Sequence, residues 1–127
     1  MHVVVIGAGE VGSYVADRLS REGHDVGIID IDREKLRRID NASDVLTVCG
    51  SGTHPDTLRK AGIENADLLV AVTANDEVNL IASMLAKSNG VKQSVVRIEA
   101  AELRSESGKQ VMTACGADLI IDPDAET

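Results

Sequence analysis

The chain has 127 residues, of which 21 are acidic and 13 basic, for a formal charge of −8; at roughly 100–200 residues per domain this is one domain. The acid excess opposes long-range attraction to nucleic acid or an anionic membrane. One aromatic residue, Tyr14, leaves little for base stacking, and no apolar run approaches the ~18–20 residues of a membrane span.

In chain order, His2-Val3-Val4-Val5-Ile6 is a β-branched run ended by glycine, which predicts a buried strand. From Glu10 the pattern turns helical, with Val11, Val15 and Leu19 at four-residue spacing and Gly23 as the stop. Residues 25–30 form a second predicted strand. A short helix over 32–39 follows, with Leu36 and Ile39 inward and Glu34 paired to Arg38. Residues 44–49 read as a third strand. Thr53-His54-Pro55-Asp56 then opens a helix, with Thr53 as the expected cap, and Gly62 closes it. A fourth strand covers 67–72. Thr73-Ala74-Asn75-Asp76 repeats the capping pattern before a longer helix to about Asn89, with Gly90 beyond it. A strand over 93–98, a helix over about 107–115 ended by Gly116, and a strand over 119–121 complete the chain.

Six strand signals thus alternate with five helix signals. Strands apolar on both faces and separated by helices predict an α/β fold, a doubly wound six-stranded parallel sheet of the Rossmann type. A strand beginning at residue 2 or 3 leaves no room for a signal peptide, so the cytoplasm is the expected compartment. Cys49 and Cys115 are far apart, and His2, His24 and His54 show no ligand spacing, so no metal site is expected. Both cysteines read as small buried apolar residues.

The strongest chemical signal is Gly7-Ala8-Gly9-Glu10-Val11-Gly12, which follows a predicted strand and opens a predicted helix. Gly7 allows the tight turn, Gly9 lets backbone approach a pyrophosphate, and Gly12 lets the helix pack close to the strand. The N–H groups and dipole at the helix N-terminus favour a diphosphate. Asp30 ends the second strand, where an acid binds ribose hydroxyls. Its carboxylate repels a 2′-phosphate and favours NAD over NADP. Asp32 reads as a helix cap, and Arg33 is the cation that would have to outweigh both acids. Glu10 faces solvent in this reading, and it offers no cation to a γ-phosphate. Gly50-Ser51-Gly52-Thr53 follows strand three and lies beside the adenosine end. Thr73-Ala74-Asn75 follows strand four, across the switch point. Arg97 is a lone cation near the end of strand five, either reaching a bound anion or paired with Glu99 or Asp122. There is no Gly-x-Ser-x-Gly, no Walker lysine and no His–acid pair placed by a motif, so no catalytic residue is assigned.

Five segments carry a resemblance to a known family. They are Val5 to Gly12; Ile29-Asp30-Ile31-Asp32; Cys49-Gly50-Ser51-Gly52-Thr53; Val72-Thr73-Ala74-Asn75-Asp76-Glu77-Val78-Asn79; and Arg97 with the later stretch from Gly116 to Pro123. The whole chain resembles the N-terminal nucleotide-binding lobe of RCK (KTN, or TrkA-N) domains, with Thr-x-x-Asp-Glu-x-Asn the most diagnostic segment. The resemblance implies a cytoplasmic, non-enzymatic regulatory module that binds NAD or NADH, alternatively ATP or ADP. It implies a membrane potassium-transporter subunit as partner, a homo-oligomer (dimer or tetramer of the full-length protein), and a place at the inner face of the membrane through that partner. By the same resemblance Gly7, Gly9 and Gly12 face the pyrophosphate, with Ala8, Glu10 and Val11 lining the loop. Asp30 binds the adenosine ribose, and Ile31 beside it joins the binding set. Ser51 and Gly52 border the adenine, Thr73 and Ala74 the second half of the ligand, and Arg97 approaches phosphates or ribose. Ser51 stands where the family usually has aspartate. An N-terminal fragment of an NAD-dependent dehydrogenase is the competing reading.

Overall fold

The computed structural model describes residues 1–121. Asp122, named above as a partner for Arg97, and Pro123 lie outside the described residues. The elements are β1 (His2–Ile6), α1 (Glu10–Arg21), β2 (Asp25–Asp30), α2 (Arg33–Ala42), β3 (Leu46–Cys49), α3 (Pro55–Lys60), a 3-10 turn (Ile63–Asn65), β4 (Leu68–Ala71), α4 (Asp76–Ser88), β5 (Gln93–Arg97), α5 (Ala101–Arg104), α6 (Glu106–Ala114) and β6 (Leu119–Ile121). The strands form a single parallel sheet in the order β3-β2-β1-β4-β5-β6. This is the doubly wound Rossmann arrangement that the alternation predicted.

The central strand explains why the core is double. Val4 and Ile6 belong to one buried cluster, with Leu58, Ile63, Leu69, Ala82 and Ile98. Val3 and Val5 belong to the other, with Ala16, Ile28, Leu36 and Ile39. Successive side chains leave a strand on opposite faces, so one apolar run serves both layers. Full burial of each such Val or Ile contributes about 1.5–3 kcal/mol.

Two aspartates close the sheet at strand entrances. Asp67, just before β4, donates its N–H to the His2 carbonyl (2.8 Å) and accepts the His2 N–H on Oδ2 (2.9 Å). Asp118, just before β6, does the same with Ser94, at 2.9 and 2.8 Å. Asp118 also pairs with Lys87 at 3.0 Å.

Several local expectations fail for identifiable reasons. In α1 the buried positions are Gly12 and Ala16, while Val15 and Leu19 pack beside the core and Val11 is 44% exposed. The helix sits so close to the sheet that only small residues fit beneath it. Glu34 pairs with Arg37 at i,i+3 (2.9 Å), not with Arg38. Thr53 does not cap α3; His54 occupies that position without a side-chain bond, and the Thr53 hydroxyl lies 2.8 Å from Ser51 Oγ. The last predicted helix is α6, and a further short helix, α5, precedes it unforeseen; Ser105 stands between the two and accepts from the Gly108 N–H. Cys49 is exposed rather than buried, and Cys115 is half-buried.

Candidate functional site

A crevice of about 490 Å³ opens at the carboxyl edge of the sheet, where β1 and β4 send their connections in opposite directions. This is the topological switch point, at which doubly wound sheets take ligands. A second cleft, about 420 Å³, lies at the opposite edge between His2, Ser20, His24 and Asp44. There α1 presents its carboxyl end, the wrong sign for an anion. The carboxyl-edge crevice instead collects the N-termini of α1 and α4.

The β1–α1 loop is built from three glycines with three different reasons. Gly7 turns the chain with φ +106°, and its N–H donates to the Ile29 carbonyl at 2.7 Å. Gly12 is a packing residue: a Cβ there would fall 1.7 Å from the Gly7 carbonyl oxygen. Gly9 is different. Its backbone is one any residue adopts (φ −75°, ψ −161°), and a Cβ there would meet nothing within 4 Å. The fold does not require glycine at position 9. What its missing side chain does is keep the crevice in front of α1 open. That helix start has no side-chain cap, unlike α2, α4 and α6, which are capped by Asp32, Asn75 and Ser105.

Asp30 closes the other side of this loop. Its Oδ2 accepts the Ala8 N–H at 2.7 Å and its Oδ1 the Asp32 N–H at 2.8 Å. Each carboxylate oxygen has a further lone pair, so the group still has acceptor capacity toward the crevice. Beyond it stand Ile31, 76% exposed, then Lys35 and the Gly50-Ser51-Gly52 loop. Gly52 is buried tightly enough that a Cβ would meet Ile6 Cγ2 at 2.4 Å.

Across the switch point the wall is made by side chains. Thr73 was expected as the cap of α4, but Asn75 takes that role, accepting the Val78 N–H at 3.0 Å. Thr73 is instead held by Asn79, which is fully buried. Asn79 Oδ1 accepts from the Thr73 N–H (3.0 Å) and hydroxyl (2.7 Å). Its Nδ2 donates to the Thr73 carbonyl (3.1 Å) and to the Arg97 carbonyl (2.8 Å). The Arg97 guanidinium pairs with Glu99 at 2.7 Å, the bland partner foreseen from sequence. Its Nε is buried and has no hydrogen-bond partner among the described residues.

Of the sequence-predicted residues, the crevice brings together Gly7, Gly9, Asp30, Ile31, Ser51, Gly52, Thr73, Ala74 and Arg97. Ala8, Glu10, Val11 and Gly12 are not in its lining: Ala8 is buried behind the loop, Glu10 and Val11 are exposed, and Gly12 lies under α1. Asn75, placed across the switch point from sequence, lines it too, whereas Lys35 and Val78 line it and were not picked out as contacts. Lys35, not Arg33, is the cation on the Asp30 side. A helix start directly after Asp30 would have pointed to it, since the third helical residue turns back toward the cap. The arrangement offers an open anion-facing helix start, a carboxylate for hydroxyl donors and an unpaired buried N–H for an oxygen acceptor. Those features fit a diphosphate flanked by a ribose.

The TrkA-N domain family model matches residues 3–123. The chain is 37% identical over 98% of its length to the Trk system potassium uptake protein TrkA of Halomonas elongata, of which it covers 27%. It is 39% identical over 99% of its length to the protein of that name from Azorhizobium caulinodans, of which it covers 28%. Among solved structures, the TrkA-N domain of the inner membrane protein ybaL from Escherichia coli superposes with a TM-score of 0.84 at 18% identity, covering 98% of this chain and 89% of that one. The GsuK channel bound to NAD gives 0.74 at 13% identity, over 94% of this chain and 21% of that one. GsuK bound to ADP gives the same score and identity, over 95% and 31%. At such identities these structures establish the shared fold.

Proposed function

The chain belongs to the TrkA-N domain family, and from that premise we propose that residues 1–127 are one nucleotide-binding domain. It takes NAD or NADH in the carboxyl-edge crevice and acts as a regulatory, non-catalytic part of a potassium uptake system. The ADP portion lies along the α1 start and Asp30, with adenine between Ile31 and the Ser51-Gly52 loop. The second nucleotide lies against Thr73, Ala74 and Arg97. A membrane transporter subunit at the cytoplasmic face and a homo-oligomer of the full-length protein complete the proposal. No helix among the described residues is long and apolar enough to cross a membrane.

The observation that carries the nucleotide reading is Gly9, a glycine with no conformational or packing reason in a crevice wall. The orphan Arg97 Nε adds to it, because a buried unpaired donor costs about 1–3 kcal/mol and a ligand oxygen would relieve that cost. A second reading keeps the site and changes the ligand to ADP or ATP, and the GsuK complex with ADP favours it.

The test is thermal stabilisation by NAD, NADH, NADP, ADP and ATP on the wild type and on Gly9→Ala. A ligand at ~100 times its dissociation constant adds about 2.7 kcal/mol. Gly9→Ala should keep or slightly raise the melting temperature of the free protein and abolish the ligand-induced shift. A variant that keeps the full shift refutes the crevice as the site. A shift larger with ADP or ATP than with NAD or NADH selects the second reading.

A further inference from the structure

We infer that Asn79 is a specificity-determining positioning residue, which sets how much more tightly the crevice holds a dinucleotide than the mononucleotide that fills only half of it. The inference rests on the nucleotide reading above. It starts from the observation that Asn79 is not in the crevice wall, yet holds two residues that are.

Asn79 lies one turn into α4 and is fully buried. An amide offers two acceptor sites on its oxygen and two donors on its nitrogen. All are committed, three to Thr73 and one to the Arg97 carbonyl. This one side chain therefore fixes the spacing between the end of β4 and the end of β5. Asp76, on the same helix, continues the grip. Its carboxylate accepts the N–H groups of Glu99 and Ala100, both at 2.9 Å. Glu99 in turn holds the Arg97 guanidinium. The backbone of Arg97 is thus set by Asn79, and its head group by a residue that Asp76 sets.

The other half of the crevice shares none of these bonds. Asp30 bonds Ala8 and Asp32, and Ser51 bonds Thr53. A change at position 79 acts directly on the second-nucleotide wall, and touches the other half only where Gly7 faces the Val72–Thr73 backbone. AMP occupies only the adenosine side, and NAD is AMP joined to a second nucleotide.

The experiment is calorimetric titration of NAD and AMP into the wild type, Asn79→Ala and the milder Asn79→Ser. The expected result is a loss of about tenfold or more in NAD affinity, the scale of one well-placed polar contact, with AMP affinity nearly unchanged. Equal losses for both ligands, or none for either, overturn the inference. Should both variants fail to fold, hydrogen exchange on the wild type decides. The Thr73 amide, whose acceptor is Asn79 Oδ1, should gain protection with NAD and not with AMP, and equal protection by both overturns the inference. A wild type that binds neither ligand overturns the nucleotide reading and this inference together, whereas binding with an unchanged NAD-to-AMP ratio sinks the inference alone.

Discussion

The two walls of the crevice are made by opposite means. On the β1–β2 side, shape comes from side chains that are missing: Gly7 turns, Gly12 admits the helix and Gly9 leaves space. On the β4–β5 side, shape comes from a side chain that is present, the buried amide of Asn79. The contrast teaches where each wall is vulnerable. A backbone wall is damaged by adding one carbon, and a side-chain wall by removing one polar group.

The sharpest way to break this comparison is inside the glycine loop itself. Gly12→Ala places its Cβ against the Gly7 carbonyl, a backbone atom with no flexible end to give way. Overpacking costs about 1–3 kcal/mol, and a clash with backbone belongs at the upper end of that range; thermal denaturation followed by circular dichroism should show it. Gly9→Ala, three positions earlier, should show no such loss. If the two alanines behave alike, the assignment of packing to one glycine and open space to the other is wrong.

A smaller effect sharpens the second wall. Ser83 on α4 and Ser94 on β5 are both fully buried, with hydroxyls 2.6 Å apart. Ser83→Ala leaves the Ser94 hydroxyl without that partner and should cost about 1–2 kcal/mol in urea denaturation. The double variant Ser83→Ala/Ser94→Ala should cost less than the sum of the singles, because neither side then carries an orphan. Additive losses would mean that the pair is not a closed polar unit.

The smallest effect is a pH dependence on the same side. The Lys87 ammonium hydrogen-bonded to Asp118 holds its carboxyl below the ordinary aspartate value, helped by the Ser94 N–H and opposed by partial burial. A depressed folded value means that the stabilisation is present above about pH 3.9, the unfolded value, and is lost as pH falls through the folded one. Lys87→Met should therefore flatten the fall of stability on acidification below about pH 5. The change will be small, because the Asp118 side chain is 45% exposed and well screened. An unchanged acid limb would remove Lys87 as the cause.

The β1–β2 wall was largely legible in the sequence, and the β4–β5 wall was legible as a motif without its mechanics. Glycines and a strand-ending acid announce themselves by position, because the backbone demands are local. Thr73 read as a helix cap since its spacing to Asp76 matches that pattern. Its hydroxyl instead engages Asn79, and Asn75 caps the helix. That exchange depends on β5, eighteen residues beyond Asn79, whose Arg97 carbonyl needs a donor. The same limit explains α1. Four-residue spacing of valine and leucine marks a helix correctly, but the tightest contact is made by Gly12, which the glycine motif did point to, and by Ala16, which a search for large apolar residues passes over. The short α5 was missed because its four residues are too few to show a helical period, while Ser105 both ends it and caps α6.

Asp30 has a kinetic and entropic consequence. A surface carboxylate normally samples several rotamers and must be frozen when a ligand arrives, at about 0.5–1.5 kcal/mol per immobilised side chain. Here both oxygens are already tethered to backbone N–H groups on either side of the residue. In the proposed binding mode, an incoming hydroxyl pair would meet an acceptor whose orientation was settled when the chain folded. That ordering cost would then be absent at this point, and Asp30→Asn, which can accept only one of the two tethers, would return that freedom to the residue.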